Sequence, residues 1–278
     1  MKHFLSIIPI AILLVLGGCK GSPKPPAETA TACSIDNLRV DVNNKTMTVS
    51  WTDNCGRLIS GYNIYISEDP LVATYPDASI PESIEPHNTT PYPGDTDPSD
   101  PRVFYEAERL ENGVKYYVSV RVVYGDQSLS EPSEEVVAVC APRGQVELGV
   151  RYSDNADGFS FVDGNYVDAD ATTNDIYFYS ANGEDFLASP IRLGFLKDNK
   201  LRKLSYAGDI DEVAAGVTTD TEYPTNDKVQ VEAGDWVWVY MPDRTTALVQ
   251  VRQFNGQGKD RTVSLYFAYF PLPNELIL

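Results

Sequence analysis

Apolar and polar residues alternate with a period of two along much of the chain beyond residue 32, which is the pattern of half-buried β-strands. In one such run, Met47, Val49 and Trp51 fall on one face, and Thr48 and Ser50 fall on the other. Further runs of this kind recur at short intervals, and turn residues separate them. The pattern therefore predicts an all-β protein.

The C-terminal part of the chain, residues 143–278, contains more short runs, separated by turns rich in Asn, Asp and Gly. The predicted strands are Val146–Tyr152, Gly158–Val162, Asp175–Tyr179, Ile191–Leu196, Lys228–Val231, Asp235–Tyr240, Thr246–Phe254 and Thr262–Phe270. One helical turn is predicted, with Asp209 as N-cap, Glu212 completing a capping box and Gly216 ending the helix. Short strands with little helix between them favour a second β-sandwich or a jelly-roll-like domain, joined to the first by a hinge at Pro142–Gly144.

The N-terminus has the pattern of a secretory address. An apolar run from Phe4 to Leu16 is about thirteen residues long, which is too short to cross a membrane as a helix. The sequence Leu-Gly-Gly before Cys19 resembles the lipobox of bacterial lipoproteins. The resemblance implies that residues 1–18 are a removed signal peptide and that Cys19 is lipidated. The alternative is an ordinary secretory signal followed by a chance cysteine.

Residues 19–32 are rich in Pro, Ala and Thr and predict a lipidated tether, because this composition cannot bury a core. In the lipoprotein family, acyl chains such as palmitate hold the protein on a bilayer, which makes the membrane a predicted partner. Position 20 is Lys rather than Asp, which in Gram-negative lipoproteins implies the outer membrane. We therefore expect a lipid-anchored protein of the cell envelope.

Charge and composition exclude several classes of function. The chain has 22 Lys and Arg against 40 Asp and Glu, a net charge of −18, so it repels nucleic acids. Of its 2 histidines, His3 lies in the predicted signal peptide, which leaves His87 as the only imidazole. Multi-histidine zinc sites need more than that, and the Pro-rich loop around His87 indicates a solvated side chain rather than a catalytic base. The sequence thus predicts no catalytic residues, no metal ligands and no cofactor, and we expect a protein that is not an enzyme.

Residues 33–141 resemble a fibronectin type III domain. The resemblance rests on Leu110–Val122, where a Leu, a tight turn and Tyr116 precede an alternating strand, and on Trp51 of the second strand. It implies an immunoglobulin-like sandwich in which the hydroxyl of Tyr116 closes a tyrosine corner on nearby backbone. Asn112 stands where the family usually has Pro.

The topology implied by that resemblance also bears on the cysteines. It places Cys33, at the start of the first strand, and Cys55, after the second strand, at the same pole of the sandwich, whereas Cys140 ends the last strand at the other pole. An oxidising compartment then favours a Cys33–Cys55 disulfide. The alternative is that all three thiols remain reduced.

Aromatic residues supply the candidate binding platform. Trp236, Trp238 and Tyr240 share one face of a predicted strand, and Val237 and Val239 share the other. If both faces are covered, the rings belong to the core. If one face is open, the rings form a platform for sugar rings or for aromatic side chains of a partner. The same question arises for Tyr177 and Tyr179, and for Tyr266 and Phe270.

Acidic residues are concentrated between positions 154 and 175, at Asp154, Asp157, Asp163, Asp168, Asp170 and Asp175. An EF-hand frame with Gly158 in sixth place would start at Ser153 and end at Gly164 instead of Glu, so the motif fails. Solvated hairpin turns are the favoured interpretation, and calcium held by carboxylates from separate loops is the alternative.

These patterns predict a lipid-anchored cell-envelope protein with a binding or display role, whose ligand is a protein or a glycan. One alternative is a small envelope glycan hydrolase that uses paired carboxylates. Another is a structural subunit of an envelope assembly. A concave cleft with two close carboxylates would favour the hydrolase, an exposed aromatic strip the binding protein, and open strand edges the structural subunit.

Overall fold

The computed structural model describes residues 33–55, 59–75, 81, 83–94, 99–194, 197–205 and 207–277. The predicted signal peptide, Cys19 and the tether lie outside the described residues, so lipidation stays a prediction. Within the described ranges, no helix combines the length and apolar character needed to cross a bilayer.

Residues 33–139 form a sandwich of two three-stranded antiparallel sheets with the strand orders β1-β2-β4 and β3-β5-β6. The strands are β1 (Ile35–Asn43), β2 (Thr46–Asp53), β3 (Ile59–Ser67), β4 (Val103–Ala107), β5 (Lys115–Tyr124) and β6 (Val136–Val139), and a short helix α1 (Leu71–Thr74) follows β3. Met47, Val49 and Trp51 point into the core between the sheets, as their alternation predicts.

The tyrosine corner implied by the resemblance is confirmed. Tyr116 is buried, and its hydroxyl accepts a hydrogen bond of 3.0 Å from the backbone N–H of Glu111. Asn112, in place of the usual Pro, accepts a bond of 2.8 Å from the N–H of Lys45 and donates one of 2.7 Å to Asn44 Oδ1. The Asn side chain therefore ties this corner to the β1–β2 turn.

The predicted disulfide is also confirmed. Cys33 and Cys55 are bonded, with their Cα atoms 4.7 Å apart. Cys140 is a free, buried cysteine whose thiol donates to the carbonyl of Thr46 at 3.3 Å. Burial raises the pKa of the Cys140 thiol to about 11, so this thiol stays protonated near neutral pH.

The C-terminal residues form a second sandwich, in which two five-stranded antiparallel sheets enclose one apolar core. The strand orders are β13-β11-β10-β8-β9 and β12-β14-β15-β16-β7. The strands are β7 (Arg143–Gly149), β8 (Gly158–Ser160), β9 (Asn165–Val167), β10 (Ile176–Ala181), β11 (Glu184–Ala188), β12 (Lys200–Lys203), β13 (Lys228–Gln230), β14 (Trp236–Tyr240), β15 (Thr246–Asn255) and β16 (Thr262–Phe270). The prediction of two β-sandwich domains in an all-β chain is thus confirmed.

Some strand predictions in the second sandwich are wrong. Residues 191–194 of the predicted strand Ile191–Leu196 do not form a strand, because Pro190 opens a 3-10 helix over Pro190–Leu193 that ends at Gly194. Residues 195 and 196 lie outside the described residues. Strands β9, β11 and β12 lack a clear alternation in the sequence. They have only three to five residues each, too few to show a pattern, and their pairing with β8, β10 and β14 holds them in place.

Helix α2 (Ile210–Thr219) covers the candidate binding platform on β14. The capping box of Asp209 and Glu212 forms as predicted, but the helix continues past Gly216 because Val217 packs on the sheet below. Side chains of α2 cover the outer face of β14, where Trp236 and Trp238 are each only 2% exposed. Both tryptophans belong to the core, and a platform on β14 is therefore wrong.

The connection between the two sandwiches is short and buried. Cys140 ends one core and Ala141 begins the other, and the carbonyl of Pro142 accepts a bond of 3.1 Å from the N–H of Tyr269. Of the predicted hinge at Pro142–Gly144, Pro142 is buried, and Arg143 and Gly144 are half-buried and already belong to β7. The described residues from 33 onward belong to one compact unit. A salt bridge of 2.9 Å between Lys115 and Glu275 also joins the two sandwiches.

Candidate ligand-binding surface

The outer face of the sheet β13-β11-β10-β8-β9 carries a row of aromatic rings. Because Ile176 and Phe178 of β10 point into the core, Tyr177 and Tyr179 point outward. On the neighbouring strand β11, Phe186 lies directly opposite Tyr179 in the antiparallel pairing. We call Tyr177, Tyr179 and Phe186 the aromatic strip.

The rings of the aromatic strip are stacked along the sheet. The centroids of Tyr177 and Tyr179 are 5.8 Å apart with an angle of 29° between the rings. Those of Tyr179 and Phe186 are 5.0 Å apart, and their planes differ by 12°. Tyr177 is buried, whereas Tyr179 and Phe186 are half-buried and present part of their surface to solvent. Rings stacked in this way face one another, so Tyr179 and Phe186 present mainly their edges to solvent.

Charged side chains flank the aromatic strip. Lys228 of β13 places its Nζ 4.6 Å from the ring centroid of Phe186. Near Tyr177, Arg192 of the 3-10 helix forms an ion pair of 3.1 Å with Asp227, the residue before Lys228. Burial raises the pKa of the Tyr177 phenol, and the nearby Arg192 guanidinium opposes that shift. Hydrogen-bond donors and acceptors thus surround an apolar surface, which is the usual composition of a ligand site.

The surface continues toward the loop between β7 and β8. The Cζ atom of Arg151 lies 5.7 Å from the ring centroid of Tyr177 and 4.2 Å from that of Tyr152, and its guanidinium also forms an ion pair of 2.6 Å with Asp170. Tyr152 is 82% exposed. An exposed ring therefore stands beside the aromatic strip, with Arg151 between them.

A polar cleft of about 410 Å³ lies beside Tyr152, between the β7–β8 loop and Asp168–Asp170. Two of its acidic side chains, those of Asp157 and Asp170, hold the surrounding loops. Asp157 accepts bonds of 2.7 Å from the N–H of Ala169 and 3.3 Å from the N–H of Tyr152. In the part of the chain that the structure describes, no group of three or more His, Cys, Asp or Glu side chains is placed to hold a metal ion.

The structure separates the aromatic residues that the sequence left ambiguous. Tyr177 and Tyr179 form the aromatic strip, whereas Trp238 lies under α2. Tyr240 is half-buried, and its hydroxyl donates to Asn274 Oδ1 at 3.2 Å. The sequence did not identify Phe186 because β11 was not predicted. The one indication in the sequence is that Phe186 follows a Tyr-rich strand, across the tight turn at Asn182 and Gly183.

Comparison with known families assigns the first sandwich. Residues 33–139 match the family model described as fibronectin type III domain. No curated protein matches the chain. The family is thus established for the N-terminal domain, and the β-rich remainder carries the candidate surface.

Proposed function

We propose that this chain is a lipid-anchored cell-envelope protein that binds a glycan through the aromatic strip of its C-terminal sandwich. The fibronectin type III domain supports a binding or structural role, since this fold serves as a spacer or a binding module in many proteins. The features that favour a glycan as the ligand lie in the second sandwich.

The single observation that carries the proposal is the near-parallel pair of half-buried rings, Tyr179 and Phe186. The exposed edges of the two stacked rings form an apolar ridge, on which the C–H groups of a sugar ring can pack. Lys228 lies over the ring of Phe186, and the pair of Arg192 and Asp227 lies near Tyr177, so donors and acceptors for sugar hydroxyls stand next to the rings.

The proposed anchor rests on Cys19 and the segment around it. A net charge of −18 repels anionic lipid headgroups, so attachment through acyl chains is the favoured mode. A Pro-rich tether over residues 19–32 would hold the domains away from the bilayer, and Lys20 supports an outer-membrane location.

A glycan screen with the full-length protein in mild detergent tests this function. We expect binding to at least one envelope or extracellular glycan, and we expect Phe186→Ala to weaken it about tenfold or more, as for other well-packed aromatic anchors. Phe104→Ala is the matched control, because Phe104 is an exposed Phe on the first sandwich. If no glycan binds, or if both variants act alike, the proposal is wrong.

A further inference from the structure

Helix α2 covers only part of the outer face of the sheet β12-β14-β15-β16-β7. The helix packs on Trp236, Trp238 and Phe270, whereas Tyr266 of β16 packs at the margin of that cluster and stays half-buried. On the edge strand β7, beyond Tyr266, the side chain of Gln145 is exposed. The part of this face around Tyr266 is therefore open to a ligand.

Two glutamine side chains flank Tyr266. In the antiparallel ladder, Gln250 of β15 and Gln145 of β7 lie directly opposite Tyr266, one on each side. Residues that lie opposite each other in a ladder point to the same face of the sheet, so both amides stand beside the phenol ring. Neither amide forms a hydrogen bond with a residue that the structure describes. Each keeps its N–H donors and its carbonyl acceptor for a ligand.

Two arginines contact the same ring. Arg143 donates from Nη2 to the hydroxyl of Tyr266 at 3.2 Å and from Nη1 to the carbonyl of Val42 at 3.4 Å. The Cζ atom of Arg252, an exposed residue, lies 5.4 Å from the ring centroid of Tyr266. Because the hydroxyl of Tyr266 accepts from Arg143, its own proton remains free to be donated. We call Tyr266 and the four side chains around it, Arg143, Gln145, Gln250 and Arg252, the donor patch.

The donor patch contains no acid, although the chain has 40 Asp and Glu against 22 Lys and Arg. Neither Arg143 nor Arg252 forms an ion pair with any of the described residues. The nearest acid along β7 is Glu147, two residues beyond Gln145. Other arginines of the second sandwich do have acidic partners, namely Arg151, Arg192, Arg202 and Arg261. Two guanidiniums without a counter-charge on one ring indicate an anionic ligand.

The composition of the donor patch favours a carboxylate that is part of a sugar. A guanidinium binds a carboxylate through two parallel hydrogen bonds. The amides of Gln145 and Gln250 offer acceptors as well as donors, which the hydroxyl groups of a sugar can satisfy and an acidic side chain alone cannot. The half-buried ring of Tyr266 supplies apolar surface for the C–H groups of the same sugar.

We propose that the donor patch binds a uronic acid residue of an acidic polysaccharide. The carboxylate accepts from Arg252, the hydroxyl groups bond to Gln145 and Gln250, and the C–H groups pack on Tyr266. The aromatic strip lies on the other sheet, so this site does not rest on the proposed function. The net charge of −18 opposes an anionic ligand, but physiological salt screens that repulsion beyond about 8 Å, so the contacts at the patch determine binding.

Two matched tetrasaccharides test the assignment by titration calorimetry on the full-length protein in mild detergent. One is the β-1,4-linked tetramer of glucuronic acid, and the other is the β-1,4-linked tetramer of glucose, which differs only in having a hydroxymethyl group in place of each carboxylate. Hydrogen bonds to a charged group predict roughly a tenfold or greater preference for the first. Tetraglutamate, an acidic peptide without sugar hydroxyls, should bind about tenfold more weakly than the glucuronate tetramer.

Single substitutions supply the controls. Arg252→Gln, at an exposed residue, should abolish the preference while the affinity for the glucose tetramer stays as in wild type. Arg39→Gln removes the same charge from an exposed position on β1 of the first sandwich and should change neither affinity. Phe186→Ala, in the aromatic strip, should leave the preference in place. Thermal unfolding of each variant confirms that it folds.

The outcomes separate the two proposals. Equal affinities for the two tetrasaccharides, no binding of the glucuronate tetramer, or a preference that survives Arg252→Gln would overturn the uronate site and leave glycan binding by the aromatic strip intact. Tetraglutamate that binds as tightly as the glucuronate tetramer would also overturn it, because the site would then recognise acidic peptides. A preference lost in Phe186→Ala but kept in Arg252→Gln would place the carboxylate at the aromatic strip instead.

Discussion

Truncation of Trp238 to Ala should destabilise the C-terminal sandwich strongly. The indole is 2% exposed, packs under α2 beside Leu248 and Phe270, and donates from Nε1 to Thr246 Oγ1 at 3.3 Å. The guanidinium of Arg202 lies 5.2 Å from its ring centroid, so the change also removes a cation–π contact.

The expected magnitude follows from the buried area. A buried Trp removes roughly 200 Å² from water, which at about 25 cal/mol per Å² gives about 5 kcal/mol, in line with the 3–5 kcal/mol that Trp-to-Ala changes typically cost. We therefore expect Trp238→Ala to lower the free energy of unfolding by about 4 kcal/mol. A loss of that size is a large share of the total stability of a typical domain.

Urea unfolding followed by far-UV circular dichroism measures the effect, because that signal does not depend on the removed indole. Trp238→Phe, which keeps a ring, should cost only about 1 to 2 kcal/mol. It can be measured even if the Ala variant does not fold. Tyr223→Ala is the control: this ring contacts Trp238 at 5.5 Å but is 50% exposed, and its loss should cost less than about 1 kcal/mol. A Trp238→Ala protein within about 1 kcal/mol of wild type would refute the burial argument.

Three further outcomes are expected. Tyr116→Phe should lower the free energy of unfolding by about 1 to 2 kcal/mol, because it leaves the Glu111 N–H without its acceptor. Tyr117→Phe, on the other face of β5, should cost much less. Equal losses in denaturant titrations would contradict the tyrosine corner. Loss of the Cys33–Cys55 bond, which spans a sequence separation of 22, should cost roughly 3 kcal/mol, and peptide mapping without reductant should find that bond and a free Cys140. Cys19→Ser should abolish acylation, and normal lipid mass on that variant would disprove the anchor.

The sequence predicted the first sandwich well because its signals are local. Trp51 alternates with polar neighbours, and the turn before Tyr116 precedes a long strand, so pattern and register agree. Long-range pairing was harder to predict. The polar segment Lys200–Lys203 becomes β12 only because it hydrogen-bonds to β14, and no property of those four residues alone predicts a strand.

The candidate site could be predicted only in part, because what covers a strand lies elsewhere in the chain. Tyr177 and Trp238 have the same alternating surroundings in the sequence, yet among the described residues only one of the two sheets carries an α-helix on its outer face. Helix α2 lies over β14 and buries Trp238.

The other sheet has a smaller cover over its aromatic residues. The 3-10 helix Pro190–Leu193 packs on part of that face through Leu193 and buries Tyr177, but it leaves Tyr179 and Phe186 half-buried. A single turn of 3-10 helix has too little apolar surface to replace a ten-residue helix. The difference in cover, rather than the difference in strand sequence, therefore determines which aromatic rows are core and which remain open to a ligand.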